Sequence, residues 1–426
     1  MHILKKLAIV IVLLIIFCTY YPSFAADEKL DLTGEAAILI DADTMEILYS
    51  KNPHEKLYPA STTKIMTGIL AIELGNLNDI VTVDQEVVNL TDGSHIALEV
   101  GEQLTLEQLL YALLVESAND AALAIAKHIS GSIDEFIKLM NEKAKEIGAL
   151  NTNFVNPNGL PDENHVTTAY DLALMAKYAM KNETFRNIVK NYTYTIPPTN
   201  KKTQERVLWS NNRMLYSAEK ISVDGVQTTI KYDGVNGVKS GYTVGAGQCL
   251  VTSYEKDGRW LIAVVLKSNG KNIYSDTHKL LNYGINNFEK VRIGFANKFI
   301  DNLPVENGVI PYVAGITKSD VYYVIEKGKL DSIEEKIVTD TLEAPLSKGD
   351  VIGKVEYYLD GRKISENDII STMDIDEIPK PSILDKIKSK WYWFVFALLF
   401  LIRLWNLHMR RRRRRYRRKS TTLFGT

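Results

Sequence analysis

The sequence predicts an α+β protein with a large domain of helices and antiparallel strands, a small all-β domain and a C-terminal membrane helix. Three observations lead to this fold class. Helical periodicity alternates with hairpin patterns over residues 36–266. Short strands separated by turns dominate from about Arg292. An apolar segment long enough to cross a bilayer begins at Trp391.

Boundary signals accompany most of the elements predicted for the large domain. Gly75 ends the first helix, Thr105 and Gln108 form a capping-box pattern for the second, and Asn119 or Asp120 is expected to cap the third. The predicted elements in chain order are strands 36–40 and 46–49, helix 61–74, two helices within 105–131, helix 168–180, and strands 239–253 and 259–266.

The character of the sequence changes near residue 291. The stretch Val351–Leu359, with the Asp360-Gly361 turn that follows it, is typical of short strands and tight turns. We therefore predict that residues 27–290 form the large domain and residues 291–378 a separate β-rich stalk domain. The Pro-Lys-Pro sequence at 379–381 predicts a stiff linker to the apolar segment.

Residues 1–25 are predicted to be a secretory signal peptide. Lys5 and Lys6 precede an apolar run over residues 7–17, and small residues occupy the −3 and −1 positions for cleavage after Ala25, with cleavage after Ala26 as an alternative. An uncleaved membrane anchor is the alternative interpretation. With either outcome, the sequence indicates a protein exported from the cytoplasm.

Residues 391–409 are predicted to be a transmembrane helix, because 19 helical residues span about 28 Å, close to the roughly 30 Å hydrocarbon core. Tryptophans near both ends, Trp391 and Trp405 among them, are typical of an interfacial belt. Nine of the ten residues that follow are Arg or Lys, which predicts that residues 410–426 form a basic cytoplasmic tail. A helix lying on the membrane surface is the alternative, since only twelve consecutive residues are fully apolar.

The charges of the chain are segregated. Twelve of its 51 basic residues lie in segments 1–26 and 391–426, so the body between them carries about 13 more acidic than basic residues. This excess argues against nucleic-acid binding by the folded part. The seven histidines form no His-x-x-x-His pair, and signal cleavage would leave Cys249 as the single cysteine. The sequence therefore predicts no metal site, no cofactor and no disulfide within the mature chain.

Ser61 and Lys64 are the leading candidates for chemistry. Residues three apart share a face of a helix, so the hydroxyl and the amine can meet. A serine hydroxyl becomes a good nucleophile when a nearby base takes its proton, and burial or a second cation keeps a lysine neutral enough to act as that base. Pro59 places Ser61 at a helix start, where backbone N–H groups favour a developing negative charge.

The motifs that follow Ser61 in the sequence distinguish it from other serines. Ser117 and Asn119 form a Ser-x-Asn triplet between two predicted helices, and Lys239-Ser240-Gly241 opens a predicted strand, where glycine permits close backbone approach. A second Ser-x-Asn triplet at 210–212 lies in no such turn. Three other Ser-x-x-Lys pairs lack these downstream partners, namely Ser217/Lys220, Ser253/Lys256 and Ser268/Lys271.

This ordered set of motifs resembles that of the penicillin-recognising serine enzymes, which include β-lactamases and penicillin-binding proteins. Segments 58–67, 156–161 and 165–171 are most similar to the low-molecular-mass D-Ala-D-Ala carboxypeptidases among the penicillin-binding proteins. The resemblance covers roughly residues 30–290 and extends to the stalk and membrane segment. It implies a three-layer sandwich, with helices on both sides of a mainly antiparallel sheet.

The resemblance implies removal of the terminal D-alanine from peptidoglycan stem pentapeptides through an acyl-enzyme on Ser61, which β-lactam antibiotics would also form. Lys64 would be the general base, and Ser117 would relay a proton to the departing D-alanine. Asn119 would hydrogen-bond the substrate amide and Lys64. The backbone N–H groups of Ser61 and Tyr242 would form an oxyanion hole.

The Lys-Ser-Gly motif would bind the other end of the substrate. Lys239 would attract the terminal carboxylate and help to keep Lys64 neutral, and Ser240 would hydrogen-bond that carboxylate. Gly241 would let another backbone come close. Ser240 departs from the commoner threonine but keeps the hydroxyl.

Three rival functions stay open on sequence grounds. A β-lactamase needs a water-activating base, and the sequence has no Glu-x-x-Leu-Asn loop of the kind that often supplies one. A D,D-endopeptidase that cleaves cross-links would use the same residues. A non-catalytic wall-binding scaffold would not need the complete set of catalytic side chains. A Ser-His-Asp mechanism through His165 is disfavoured, because the chain has no Gly-x-Ser-x-Gly elbow.

Overall fold

The computed structural model describes residues 30–380, 382, 385 and 388–420, the last five of them by backbone alone. The predicted signal peptide at 1–25 lies outside these residues. The described chain divides into two compact units. The first runs to Val291 and also takes in Tyr322–Asp331, and the second contains the remaining residues from Arg292 onward.

Strands and helices alternate through the first unit. Its strands are β1 (Ala36–Asp41), β2 (Ile47–Lys51), β3 (Ile80–Thr82), β4 (Gln103–Thr105), β5 (Thr193–Ile196), β6 (Arg206–Trp209), β7 (Lys220–Val223), β8 (Val226–Thr229), β9 (Val235–Thr243), β10 (Gly247–Lys256) and β11 (Arg259–Ser268). Its helices are α1 (Lys64–Leu74), α2 (Gln85–Leu90), α3 (Leu106–Tyr111), α4 (Asn119–Ser130), α5 (Ile133–Ile147), α6 (Ala169–Lys181), α7 (Glu183–Val189) and α8 (Asn272–Asn287). Short 3-10 turns cover Ala60–Thr63 and Arg213–Leu215, and a π-helical turn covers Ala112–Glu116.

A five-stranded antiparallel sheet with the order β2-β1-β11-β10-β9 forms the middle layer. Alternate residues of β1 face opposite sides, because successive side chains of a strand point in opposite directions. Ile38 packs with the cluster that includes α1 and α4, whereas Leu39 packs with Leu280 and Leu281 of α8. Helices therefore cover both faces of the sheet. The predicted three-layer α+β fold is confirmed.

The strand pattern differs from the sequence prediction at one point that matters for the site. Residues 239–253, predicted as one strand, form parts of β9 and β10, which a turn at Val244 separates. The sequence pattern did not reveal this turn, because Val244 is an apolar, β-branched residue of the kind found in strands, although it is 94% exposed. Lys239 lies in the middle of β9 and not at the start of a strand, because β9 already begins at Val235, and β9 is an edge of the sheet.

The second unit is mainly β-structure. Strands β12 (Phe288–Gly294) and β15 (Val321–Glu326), each of which lies mostly in the first unit, pair with each other where the chain leaves and re-enters that unit. The other strands, in the order β16-β18-β19-β14-β13-β17, form a six-stranded sheet. Their bounds are β13 (Phe299–Glu306), β14 (Tyr312–Thr317), β16 (Ile333–Val338), β17 (Leu342–Glu343), β18 (Val351–Leu359) and β19 (Arg362–Ser371), with a 3-10 turn at Leu330–Ser332.

A 30-residue helix, α9 (Trp391–Ser420), follows the second sheet. Its part from Trp391 to Arg415 is long and apolar enough to cross a membrane, and none of it is buried. The predicted C-terminal β domain and apolar C-terminal helix are thus both present.

Candidate active site

The Ser61 side chain lies on the 3-10 turn that leads into α1. Lys64 is the first residue of α1, and its Nζ lies 3.0 Å from Ser61 Oγ. Ser61 is half-buried, whereas Lys64 is fully buried. The three-residue spacing therefore brings the hydroxyl and the amine together as the sequence predicts, although through a 3-10 turn and not a regular α-helix.

Lys64 Nζ donates to two further oxygen atoms, Oδ1 of Asn119 and the backbone carbonyl oxygen of Asn158, each at 2.6 Å. Burial lowers the pKa of Lys64 well below its ordinary value, and the charge of Lys239 lowers it further, while Asp120 opposes both effects. A neutral amine has two N–H bonds and one lone pair. With both N–H bonds directed at the two carbonyl oxygens, the lone pair is left for the Ser61 hydroxyl.

The Ser-x-Asn motif occupies a tight corner between the π-helical turn and α4. Ser117 adopts a left-handed backbone conformation with φ of 68°. Its backbone N–H ends the π-helical turn by donating to the carbonyl oxygen of Ala112. Asn119 Nδ2 donates to the carbonyl oxygen of Asp92 at 2.6 Å, which orients the amide with its oxygen toward Lys64. Ser117 and Asn119 are both buried.

The prediction that Asn119 or Asp120 caps α4 is wrong. Ala118 occupies the N-cap position, and no side chain accepts the usual capping hydrogen bond. The amide of Asn119 is engaged with Lys64, and the Asp120 carboxylate accepts hydrogen bonds from the backbone of Ile96 and Leu98 instead.

The Lys-Ser-Gly motif lies against Ser61 because β9 is an edge strand. Lys239 is buried, and its Nζ donates to the carbonyl oxygen of Ser240 at 2.9 Å. Burial lowers the pKa of Lys239 to about 7, against the opposing charge of Glu116. A Cβ atom at Gly241 would lie 2.7 Å from the Ser61 backbone nitrogen, so only glycine lets β9 approach this closely.

These residues surround an open cleft of about 310 Å³. Its lining contains no Asp or Glu side chain among the residues that the structure describes. The lining residues are Ser61, Ser94, Ser117, Asn211, Arg213, Ser240, Gly241, Tyr242, Gln248 and Tyr274. Lys64, Asn119 and Lys239 are buried beside it, so the structure brings all eight sequence-predicted site residues together.

Several residues of the site were not assigned a role from the sequence. Asn158 supplies only a backbone atom to Lys64, and backbone atoms leave no mark of their own in a sequence. Ser94 belongs to a loop without a motif. Asn211, from the rejected Ser-x-Asn triplet, lines the cleft and donates to the carbonyl oxygen of Glu116 at 2.8 Å. Arg213 also lines it and ion-pairs with Glu219.

Two of the competing Ser-x-x-Lys pairs have their side chains engaged elsewhere. Ser253 accepts from the Trp260 indole at 3.1 Å, while Lys256 pairs with Asp233. Ser268 hydrogen-bonds to the Asp276 carboxylate, while Lys271 pairs with Glu219.

The third competing pair is also unsuited to catalysis. Ser217 Oγ accepts a hydrogen bond from the Arg213 guanidinium at 3.2 Å, and the serine is buried. None of the three competing serines lines the cleft.

His165 is hydrogen-bonded to the 3-10 turn that carries Ser61. Its Nδ1 accepts from the Val155 backbone N–H at 3.2 Å, which leaves Nε2–H to donate to Thr63 Oγ1 at 2.8 Å. Burial lowers the pKa of His165 to about 4, so the ring is neutral at pH 7. His165 therefore contacts Thr63 rather than Ser61, which removes the geometric basis for a Ser-His-Asp mechanism.

Comparison with known proteins agrees with this geometry. The family model described as D-alanyl-D-alanine carboxypeptidase matches residues 23–270, more than half of the chain. The chain belongs to this family. The predicted resemblance and the predicted class of enzyme, a serine-type D-Ala-D-Ala carboxypeptidase, are thereby confirmed. A second model, the C-terminal domain of penicillin-binding protein 5, matches residues 288–377.

Individual relatives extend over most of the chain. D-alanyl-D-alanine carboxypeptidase DacF of Bacillus subtilis is 31% identical over 91% of this chain and 99% of its own length. D-alanyl-D-alanine carboxypeptidase DacA of Haemophilus influenzae is 30% identical over 86% and 90%. Among solved structures, penicillin-binding protein 5 of Haemophilus influenzae superposes with a TM-score of 0.67 at 30% identity, covering 82% of this chain and 99% of that one.

Proposed function

We propose that this member of the D-alanyl-D-alanine carboxypeptidase family removes the terminal D-alanine from peptidoglycan stem pentapeptides. The observation that carries the proposal is the arrangement around Lys64 Nζ. Its two short hydrogen bonds to Asn119 Oδ1 and the Asn158 carbonyl leave one direction free, and Ser61 Oγ lies in reach at 3.0 Å. A buried neutral amine held in this way is a general base aimed at one hydroxyl.

In the proposed reaction, Lys64 takes the proton of Ser61 as Oγ attacks the carbonyl carbon of the penultimate D-alanine. The backbone N–H groups of Ser61 and Tyr242 would stabilise the oxyanion of the tetrahedral intermediate. The C–N bond then breaks as Lys64 gives its proton to Ser117 and Ser117 gives its own proton to the nitrogen of the departing D-alanine. An ester on Ser61 Oγ is left behind.

The second half of the reaction returns the enzyme to its starting state. Water attacks the ester carbonyl, its proton passes to Lys64, and the bond to Ser61 Oγ breaks as the serine regains a proton. The products are a tetrapeptide and free D-alanine.

The proposed role of the Lys-Ser-Gly motif is to select a substrate that ends in a carboxylate. The Lys239 ammonium is buried beside the cleft, where a positive charge acts in a medium of low dielectric constant. Ser240, half-buried on the cleft wall, can donate a hydrogen bond to the same carboxylate. Asn119 would bind the substrate amide on the opposite side.

We further propose the domain organisation that the sequence predicts. Residues 1–25 would be removed as a signal peptide, residues 27–290 with the added segment Tyr322–Asp331 would form the catalytic domain, and the rest of residues 291–378 would form a stalk. Residues 391–409 would cross the cell membrane once, with residues 410–426 in the cytoplasm and the catalytic domain on the cell-wall side. The exposed apolar helix α9 and its arginines support this arrangement.

The deciding experiment is mass spectrometry of a stem pentapeptide after incubation with the protein. Loss of one alanine is expected, and Ser61→Ala should reduce the rate by at least about 10³-fold. A cross-linked dimer offered in parallel would report endopeptidase activity. Cleavage of the cross-link with no release of alanine would favour the D,D-endopeptidase alternative. Alanine release that persists in Ser61→Ala would contradict the mechanism.

A further inference from the structure

Asp120, the residue after the Ser-x-Asn motif, is a buried carboxylate that the proposed mechanism does not use. It is 1% exposed and lies in the first turn of α4. It forms no salt bridge among the described residues, and its hydrogen-bond partners are backbone N–H groups. Those groups belong to Ile96 at 3.1 Å, Leu98 at 3.0 Å and Ala121 at 2.9 Å.

Two of these partners lie on the loop that forms one wall of the cleft. Ser94 of this loop lines the cleft, and its carbonyl oxygen accepts from the Asn119 backbone N–H at 2.7 Å. The Asp92 carbonyl oxygen accepts from Asn119 Nδ2 at 2.6 Å. The loop that Asp120 holds at Ile96 and Leu98 therefore holds the neighbouring amide of Asn119 in turn.

The orientation of the Asn119 amide matters because its other end reaches the general base. With Nδ2 fixed on Asp92, the amide presents Oδ1 to Lys64 Nζ at 2.6 Å. An amide free to rotate would offer an N–H donor to Lys64 in half of its orientations. The hydrogen bond that directs the lone pair of Lys64 toward Ser61 would then be lost.

The charge of Asp120 acts on the same amine. Four charged or titratable groups bear on Lys64 from the elements packed around it. They are Lys239 on β9, Asp120 on α4, His165 behind the nucleophile segment, and Glu116, which acts through Lys239. Lys239 disfavours the ammonium form of Lys64, and Asp120 favours it. Asp120 thus limits how far burial and Lys239 can depress the basicity of Lys64.

We propose that Asp120 is a positioning residue for acylation, which holds the loop at residues 92–98 against Asn119 and supplies the negative charge that balances Lys239 at Lys64. The proposal rests on the proposed function of Ser61 and Lys64. The carboxylate suits both tasks, because it is acceptor-only and can serve three N–H groups at once. An asparagine in its place would turn an NH₂ group toward at least one of those donors.

The test measures the rate of Ser61 acylation by a fluorescent penicillin against pH in full-length protein. Acylation requires neutral Lys64, so its rate falls on the acid side as Lys64 gains a proton. Asp120→Asn should lower the plateau rate about tenfold or more. It should also move the acid limb of the profile, the pH range in which the rate falls, to lower pH. The reason is that the negative charge that favours the ammonium form of Lys64 is gone. The position of a limb does not depend on the fraction of protein that is folded.

Two further variants separate charge from position. Gly93→Ala would place a Cβ atom 3.0 Å from Asn119 Nδ2 at a residue with φ of 73°, which disturbs the loop without changing any charge. It should lower the plateau and leave the acid limb in place. Asp171→Asn removes another buried carboxylate, one that accepts from Thr152 and the backbone of Asn151, and should leave the limb in place too.

The outcomes are distinct. An acid limb in Asp120→Asn that coincides with that of Asp171→Asn would overturn the electrostatic part of the proposal. A wild-type plateau rate in both Asp120→Asn and Gly93→Ala would overturn the positioning part. If the wild-type protein itself were not acylated at Ser61, the proposed function would fail instead.

Discussion

The Asn158 carbonyl oxygen accepts a hydrogen bond from Lys64 Nζ at 2.6 Å, so a backbone atom on a loop helps to fix the proposed general base. The next residue, Gly159, has φ of 89°, and a Cβ atom there would lie 2.0 Å from the carbonyl oxygen of Ala60. The loop and the nucleophile turn are therefore packed backbone to backbone. A side chain at 159 would separate them.

This packing predicts that Gly159→Ala will reduce acylation about 100-fold or more, because a shift of about 1 Å at a reacting group has an effect of that size. Gly148→Ala is the matched control. Its φ is 92°, but a Cβ atom there would meet only Leu174 Cδ1, at 3.8 Å. Both variants carry the same backbone strain, so a larger loss of thermal stability in Gly159→Ala than in Gly148→Ala measures the effect of the clash alone. Equal acylation rates for the two would contradict the packing argument.

A second prediction concerns pH and Lys239. Because its pKa is lowered to about 7, Lys239 is a cation below that pH and loses its charge as the pH rises through 7. We expect kcat/KM for a peptide that ends in a carboxylate to fall on the alkaline side, since this parameter reports groups of the free enzyme. Lys239→Arg should move the fall to much higher pH, because a guanidinium stays charged. A fall at unchanged pH in Lys239→Arg would assign the limb to another group.

A third prediction separates the carboxypeptidase from a β-lactamase. The cleft lining includes no carboxylate among the described residues, so no Asp or Glu side chain of the lining is placed to activate water. We expect the acyl-enzyme formed with a fluorescent penicillin to persist for minutes or longer and to survive denaturing electrophoresis. The label should disappear in Ser61→Ala and should remain in Ser268→Ala. Rapid hydrolysis of the penicillin with no labelled band would favour a β-lactamase.

A fourth prediction concerns membrane topology. Residues 410–426 should lie in the cytoplasm, so protease added to wall-stripped intact cells should digest the catalytic domain and spare a tag fused after Thr426. A variant in which the six arginines at 410–415 are replaced by glutamine is the informative comparison, because it removes most of the positive charge that retains the tail inside. Digestion of the tag in the unmodified chain would show a helix that lies on the membrane surface.

The sequence was sufficient to select the candidate side chains that the structure brings together, but not the backbone atoms that hold them. Motif order selected Ser61 over three competing serines, and the structure places it beside Lys64, Asn119 and Lys239. The Asn158 carbonyl could not be inferred, because it depends on tertiary contact with a loop about 90 residues away along the chain.

Fold prediction failed where local pattern and tertiary context diverge. The turn at Val244 was missed because exposed apolar residues continue the strand pattern through it. The π-helical turn before Ser117 has no sequence signature, yet it creates the left-handed corner from which the serine projects. Regular helices such as α6, predicted at 168–180, were found correctly because periodicity is a local property, and the structure shows Thr168 as the N-cap of this helix.

The segment Tyr322–Asp331 has a practical consequence for recombinant expression. Val324 of this segment packs in the same apolar cluster as Phe288, and Lys327 N–H donates to the Asn287 carbonyl oxygen at 2.9 Å. A truncation after residue 290 would therefore remove the buried Val324 side chain from this apolar cluster. The apolar surface exposed in this way would favour aggregation. A soluble fragment for crystallisation or inhibitor screening should end near residue 378, after the second sheet and before the apolar helix.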